Sequence, residues 1–192
     1  SCNGNNIDLD SIRIGSVLGQ GSFGRVHVGM DILTGAQYAV KRMTTGVDEQ
    51  RTKAHEEEIK VMQDLSHENI VNYLGCKYCE SEQTLDIYME YVSGGSIASI
   101  VKCYGALSDR LLARFTRQML SGVAYLHSKN VIHRDIKGAN VLVTVDGVAK
   151  LADFGCSKLL SDMDTADRNE TLCRIRGSIP WMAPEMVREK GY

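Results

Sequence analysis

The spacing of apolar residues changes along this chain, and the change restricts the possible folds more than any single residue does. Residues 12 to 43 alternate apolar and polar side chains in three short runs, IRIGSVL, RVHVGMD and AQYAVKRM, separated by GQGSFG and LTG. Such alternation predicts three antiparallel strands. From about 49 to 66 the apolar positions follow a helical period, and two further strands are predicted near 71 to 78 and 84 to 90.

The glycines of SGGS, residues 93 to 96, separate this part from a helical one. Beyond them, five apolar residues recur at helical spacing: Leu112, Phe115, Met119, Val123 and Leu126. Ser108 is placed to cap the start of that helix. Short strands VLV and VAKLA then bracket a turn at Asp146-Gly147, and a polar loop runs from 153 to 180. The order predicts an α+β fold with a strand-rich lobe, a hinge and a helical lobe.

Composition limits the classes of protein. The 192 residues are 43% hydrophobic and 24% charged, which suffices for a packed core. The net charge of -2 and the absence of a long apolar run predict neither nucleic-acid binding nor membrane insertion. The start, SCNGNNIDLD, does not resemble a secretory signal, and residues 1–12 are expected to form a flexible flank.

The six cysteines have no framework spacing, which predicts reduced thiols and a cytoplasmic location. Cys76 and Cys79 form a lone C-x-x-C motif. A zinc site requires further ligands at a suitable spacing, so two cysteines of a strand or turn are the favoured interpretation.

The segment HRDIKGAN, residues 133 to 140, places charged and polar groups between the apolar runs NVI and VLV. Buried charge costs free energy unless it is paired. A ligand or a reaction therefore explains this cluster better than a core does.

Three glycines, Gly19, Gly21 and Gly24, lie between the first two predicted strands. Glycine allows backbone N–H groups to approach phosphate oxygens, although a glycine-rich hairpin that binds nothing is common. The dinucleotide fingerprint needs a helix after the glycines and an acid about twenty residues on. Here a strand follows and position 41 is a lysine, which disfavours a nicotinamide cofactor.

Lys41 lies in YAVK on the third predicted strand, among apolar residues. An inward-facing lysine needs an anion, and the sequence offers a phosphate under the glycine loop and Glu58 on the apolar face of the predicted helix. Glu56 and Glu57 belong to its solvated side. A solvent-facing lysine is the alternative.

Together these segments resemble the eukaryotic protein kinase family, because GQGSFGRV, YAVK, a helix glutamate, HRDIKGAN, DFG and APE occur in the family's order. The resemblance covers 13–192 and implies a bilobal fold with an N-lobe at 13–90, a hinge at 91–95 and a partial C-lobe at 96–192. The family continues beyond Glu185, so the chain is expected to be part of a longer protein.

HENIVNYLG, MEYVSGGSI, HRDIKGANVLV and WMAPE are similar to kinases at the head of mitogen-activated cascades, whereas SIP before Trp181 departs from that group. The resemblance implies a serine/threonine kinase that transfers the γ-phosphate of ATP to a protein substrate, itself a downstream kinase. An inactive kinase-like scaffold is the alternative. A kinase of small molecules is disfavoured by the long segment 153 to 185.

The resemblance also implies roles for individual residues. Asp135 would accept the hydroxyl proton, and Lys137 would neutralise charge on the phosphoryl group. Four further residues would act on the phosphates and magnesium: Lys41 with Glu58, and the metal ligands Asn140 and Asp153. The remaining expected nucleotide contacts are Leu18, Gly19, Gly21, Gly24, Val26, Ala39, Met89, Glu90, Val92, Ser96 and Leu142.

Two packing and regulatory features follow from the same resemblance. The side chains of His133 and Phe154 are expected to stack, in line with Met62 and Tyr73. Arg134 implies activation by a phosphate on the segment after DFG, with Thr171 preferred, Thr165 second and Ser178 reserved for contacts with the catalytic loop. The alternative is that these hydroxyls are simply solvated.

Overall fold

The computed structural model describes residues 7–21, 24–44, 59, 61–154, 158–159 and 178–184. The described residues form two compact units. The first comprises the described parts of Ser1–Ser66 and Val71–Ser93, and the second those of His67–Ile70 and Gly94–Tyr192. The first unit is built on a sheet and the second mainly on helices, which confirms the predicted α+β class.

The first unit is a five-stranded antiparallel sheet in the order β1-β2-β3-β5-β4. Its strands are β1 (Ile12–Gly21), β2 (Gly24–Asp31), β3 (Gln37–Thr44), β4 (Tyr73–Cys79) and β5 (Thr84–Glu90). All five strands were predicted, with ends that differ by at most three residues. The free thiols of Cys76 and Cys79 both belong to β4.

The glycine-rich segment differs from its prediction. GQGSFG was expected to separate two strands, but Gly19 pairs with Val26 and Gly21 with Gly24, so β1 continues to Gly21. The prediction was wrong here because glycines carry no side chains, and the alternation that marks a strand therefore disappears.

The start of the chain and the helix after β3 complete the first unit. The expected flank, 1–12, ends in ordered structure, since Leu9–Ser11 form a 3-10 turn and Leu9 packs against the core that contains Ile12 and Val40. Residues 61–63 are helical, and Val61 and Met62 are buried as the period predicted.

The second unit contains the helices α1 (Ile97–Tyr104) and α2 (Asp109–Ser128) and the short strands β6 (Val131–Ile132), β7 (Val141–Val143), β8 (Ala149–Leu151) and β9 (Lys158–Leu159). Ser108 caps α2 as predicted, because its hydroxyl accepts a hydrogen bond from the Leu111 N–H. Phe115 and Leu126 of α2 are buried. The helical spacing of the five apolar residues predicts a core helix, but Leu112, the first of them, is 52% exposed, so for this residue the prediction was wrong. The helical period fixes a face of the helix, but not how far along it the covering strands β6 and β8 extend.

The segment 67–70 joins the second unit although it precedes β4 in the chain. Its Asn69 side chain donates to the Ala149 carbonyl (3.0 Å), and the Leu151 N–H donates to the Asn69 carbonyl (2.9 Å). Gly122 of α2 faces this segment, and a Cβ there would lie 2.9 Å from the Asn69 oxygen. Sequence reasoning missed this contact, which anchors the segment to α2 and β8.

Candidate active site

The hairpin of β7 and β8 brings two of the polar sequence segments together. Val141 pairs with Leu151 in an antiparallel register, so the residue before β7 meets the residue after β8. The Ala152 N–H donates to the Asn140 carbonyl at 2.9 Å. The end of HRDIKGAN and the start of ADFG therefore lie side by side.

Two aromatic side chains support this junction from inside. His133 and Phe154 are 3% and 1% exposed, and their ring centroids lie 5.0 Å apart at an interplanar angle of 49°, which confirms the predicted contact between these two side chains. The Asp135 N–H donates to His133 Nδ1 (3.3 Å), and Nε2 lies 3.1 Å from the Ala152 carbonyl. Burial lowers the pKa of His133. A neutral imidazole protonated at Nε2 fits both contacts.

The Asp135 carboxylate is 9% exposed and surrounded by donors. Oδ2 accepts from Lys137 Nζ (2.8 Å) and Asn140 Nδ2 (2.8 Å), and Oδ1 accepts from the Ser178 N–H (2.9 Å). Burial raises the pKa of Asp135, but the hydrogen bonds from Lys137, Ser178 and Asn140 outweigh it, so that the pKa is lowered overall. The carboxylate is therefore ionised at neutral pH.

Lys137 links this carboxylate to the segment that follows the DFG loop. Its ammonium group donates to Asp135 Oδ2 and also to Ser178 Oγ, at 2.6 Å. The predicted contact of Ser178 with the catalytic loop is confirmed. Sequence reasoning missed the Ser178 backbone donor, because a main-chain N–H has no sequence signature.

Asn140 is oriented so that one atom is left for a ligand. Both N–H groups of its carboxamide are used, since Nδ2 donates to the carbonyl and to Oδ2 of Asp135 (2.9 and 2.8 Å). The carboxamide oxygen remains as the available acceptor. Asp153 follows directly after Ala152 in the chain, and carboxamide and carboxylate oxygens are the ligand types that a hard cation such as Mg²⁺ prefers.

The backbone is strained at two positions in this region. Arg134 and Asp153 both have φ of +63°, in the left-handed region that favours glycine. Such conformations cost about 1–3 kcal/mol and occur most often at functional sites. Arg134 directly precedes Asp135, and Asp153 is the first residue of the DFG segment.

The first unit holds Lys41 on β3, opposite Val26 of β2 and Ile87 of β5. Lys41 is 5% exposed, so its buried ammonium requires an anion. Its expected partner Glu58 lies outside the described residues, as do Thr165 and Thr171.

The expected nucleotide contacts have different environments. In the first unit, Ala39, Met89 and Val92 are buried, Val26 and Glu90 are half-buried, and Leu18 is 47% exposed. In the second unit, Leu142 on β7 is half-buried. Ser96 has a structural role as the N-cap of α1, where its hydroxyl accepts from the Ser99 N–H (3.1 Å).

Comparison with known proteins identifies the family. Residues 12–192 match the family model of the protein kinase domain, and the chain belongs to this family. Membership implies ATP as the phosphoryl donor. The bilobal kinase fold expected from the sequence is thereby confirmed.

Curated relatives are named as upstream kinases of a cascade. The chain is 42% identical to human mitogen-activated protein kinase kinase kinase 3 over 184 residues, which covers 94% of this chain and 29% of the relative. It is 43% identical to mitogen-activated protein kinase kinase kinase 3 of Arabidopsis thaliana over 183 residues, 93% of this chain and 29% of the relative. The chain thus spans less than a third of the length of these relatives. Its resemblance to this group of serine/threonine kinases is confirmed.

Within the described ranges, neither helix is both long enough and apolar enough to span a bilayer.

Proposed function

We propose that this chain is the catalytic part of a serine/threonine protein kinase that phosphorylates a downstream kinase of a mitogen-activated cascade. The observation that carries the proposal is the Asp135 carboxylate, which is buried, ionised and held by Lys137, Asn140 and the Ser178 N–H. The names of the relatives support the position in the cascade.

In the proposed reaction, a serine or threonine hydroxyl of the substrate donates a hydrogen bond to Asp135. The hydroxyl oxygen forms a bond to the γ-phosphorus, the bond to the bridging oxygen of ADP breaks, and the proton passes to Asp135. A carboxylate with a lowered pKa is a weak base, so its main work is to orient the hydroxyl and to take the proton late. Lys137 lies close enough to Asp135 to stabilise the transferring charge.

Magnesium fits the two oxygen donors Asn140 and Asp153. When bound, it neutralises charge on the phosphates. The proposal for Asn140 is supported by the carboxamide oxygen that its own hydrogen bonds leave available.

For the nucleotide we propose the contacts expected from the sequence, with Lys41, paired to Glu58, on the phosphates. The glycines differ in how well they support a phosphate contact. A Cβ at Gly24 would lie 2.3 Å from the Arg42 carbonyl oxygen, so packing alone requires glycine there. A Cβ at Gly19 meets no described residue within 4 Å, so packing among those residues gives no reason for this glycine and approach of a phosphate does.

The remaining sequence expectations stay proposals: the lobe bounds 13–90, 91–95 and 96–192, a cytoplasmic location, and activation through Thr171. The three described cysteines, which include Cys103, are free thiols, consistent with a reducing compartment.

Phosphotransfer by the full-length protein tests the proposal. Wild type is incubated with Mg²⁺, γ-labelled ATP and a generic protein substrate, and phosphoamino acids are separated. Asp135→Asn should lower kcat by about 10³-fold or more while ATP binding persists, because the carboxylate acts on the hydroxyl. Asp146→Asn, an exposed aspartate on the β7–β8 turn, is the matched control and should keep the wild-type rate. An unchanged kcat for Asp135→Asn would remove the assignment.

A further inference from the structure

The first turns of α2 present three arginines on one exposed face. Arg110, Arg114 and Arg117 stand at i, i+4 and i+7, which places them in a row along the helix. Among the described residues, none of the three guanidinium groups lies within 4.0 Å of a carboxylate. We call this row the arginine face.

The arginine face encloses a depression of about 460 Å³. Of the residues that the structure describes, Ser108, Arg110, Leu111, Ala113, Arg114 and Arg117 form its walls, which contribute three cationic groups and no acidic one. The nearby acids, Asp109 and Asp146, are exposed and do not line it.

Arg114 is held in place by the β7–β8 turn. Its Nη2 donates to the Asp146 carbonyl oxygen at 3.4 Å, and a Cβ on Gly147 would lie 3.5 Å from its guanidinium. The hydrogen bond is made to a neutral oxygen, so the positive charge is not compensated. Like charges at i and i+4 destabilise a helix, and a bound anion would remove that repulsion.

We propose that the arginine face binds an extended acidic segment of a protein partner. At 1.5 Å per residue, the arginines are spaced about 6 Å and 4.5 Å along the helix. Side chains on one side of an extended peptide repeat about every 6.6 Å, which is close to the first interval, and the long arginine side chains can span the difference at the second. The planar guanidinium fork binds a carboxylate through two parallel hydrogen bonds.

The charge of the chain favours a protein segment over a polyanionic surface. Nucleic acids and anionic membranes are held by broad basic surfaces, whereas this chain has a net charge of -2 and the depression accommodates only a few side chains. The arginine face also does not line the cavity of about 450 Å³ that contains Asp135. Binding can therefore be measured without ATP, and its outcome is independent of the proposed phosphotransfer.

The test measures binding of a fluorescein-labelled peptide with glutamate at alternate positions to the full-length protein, by fluorescence anisotropy. The triple variant Arg110→Gln, Arg114→Gln, Arg117→Gln should bind about 10-fold more weakly or worse, and wild-type binding should weaken with salt. The matched control replaces three exposed cations elsewhere, Arg13→Gln, Lys102→Gln and Lys129→Gln, and should stay within about 2-fold of wild type.

Three outcomes would overturn the proposal. One is equal affinity of the triple variant and wild type. Another is equal binding of a peptide with glutamine in place of glutamate. The third is binding of phosphatidylserine vesicles through the same arginines while the peptide does not bind. A thermal melt of the triple variant accompanies the series, and its Tm should equal or exceed that of wild type because the arginines repel one another.

Discussion

Each unit of the molecule contains a buried aspartate paired with a cation at 2.8 Å, yet the two pairs have different surroundings. In the sheet, Asp86 of β5 accepts from Nε and Nη2 of Arg42, its cross-strand neighbour on β3. In the second unit, Asp135 pairs with Lys137 through a single ammonium group. The distance and the burial of the acid are nearly the same.

The backbone and the remaining donors distinguish the pairs. Asp86 lies in regular β-structure, and its hydrogen bonds raise the pKa of Arg42, so both charges are locked together. Asp135 directly follows Arg134, whose φ is +63°. The Lys137 ammonium group donates hydrogen bonds to both Asp135 and Ser178. A buried ion pair by itself therefore does not distinguish a structural role in a sheet from a role in a reaction. The pair proposed to react is distinguished by backbone strain at the preceding residue and by a donor that it shares with a third residue.

Among the tests of this comparison, the largest expected effect comes from replacing the cation of the pair in the second unit. Lys137→Met should lower kcat by about 10²- to 10³-fold, since the ammonium contacts Asp135 in the position proposed for charge transfer. KM for ATP should change little, because Lys137 is not among the proposed nucleotide contacts. Steady-state phosphorylation of a protein substrate measures both constants.

Lys129→Met is the control, because Lys129 is exposed at the end of α2 and should leave kcat unchanged. If Lys137→Met altered only thermal stability, the pair would have the same structural role as Arg42–Asp86.

The second prediction breaks the pair in the sheet. Asp86→Ala leaves the partly buried Arg42 without its bidentate partner and should reduce the free energy of unfolding by about 2–3 kcal/mol, less than for a fully buried pair because Arg42 still reaches Glu82 and water. Urea denaturation measures this loss, and the folded fraction should retain kcat within a few-fold.

The exposed pair of Asp10 and Lys77 provides the control. Asp10→Ala should leave Tm nearly unchanged, because solvent screens this pair. A loss for Asp10→Ala as large as for Asp86→Ala would mean that burial does not separate the two pairs.

Sequence reasoning recovered what a repeating pattern or an ordered motif encodes. Alternation predicted the first three strands, two further strands were predicted after the first helix, and the helical period predicted α2 with its cap at Ser108. The period could not place Leu112, because burial depends on where neighbouring strands end. Asp135 and Lys137 were found from their motif, whereas the Ser178 N–H and the anchoring of Asn69 involve backbone atoms, which any residue could provide.

The third prediction extends the comparison to the glycines. Gly24→Ala should lower the free energy of unfolding by about 2 kcal/mol, because its Cβ would overlap the Arg42 carbonyl and φ is +154°. Gly19→Ala should leave stability unchanged or slightly improved, yet raise KM for ATP several-fold if the backbone there meets a phosphate. Denaturation and ATP kinetics on both variants separate these effects. Equal stability losses at the two positions would contradict the distinction.

The smallest expected effect is a pH dependence that arises from His133. Its folded-state pKa lies below the unfolded value of about 6.5, so the unfolded chain binds a proton that the folded chain excludes. Below pH 6.5 this histidine therefore lowers the free energy of unfolding as pH falls, by up to about 1.4 kcal/mol per pH unit, and above that pH the effect disappears. NMR titration of the ring nitrogens should find a titration midpoint for His133 below pH 6.5, with the neutral ring protonated at Nε2. A midpoint at or above pH 6.5 would contradict the burial of a neutral imidazole next to Asp135. It would also remove a difference between the two aspartates, because Asp135, unlike Asp86, is held here by a histidine that must remain uncharged.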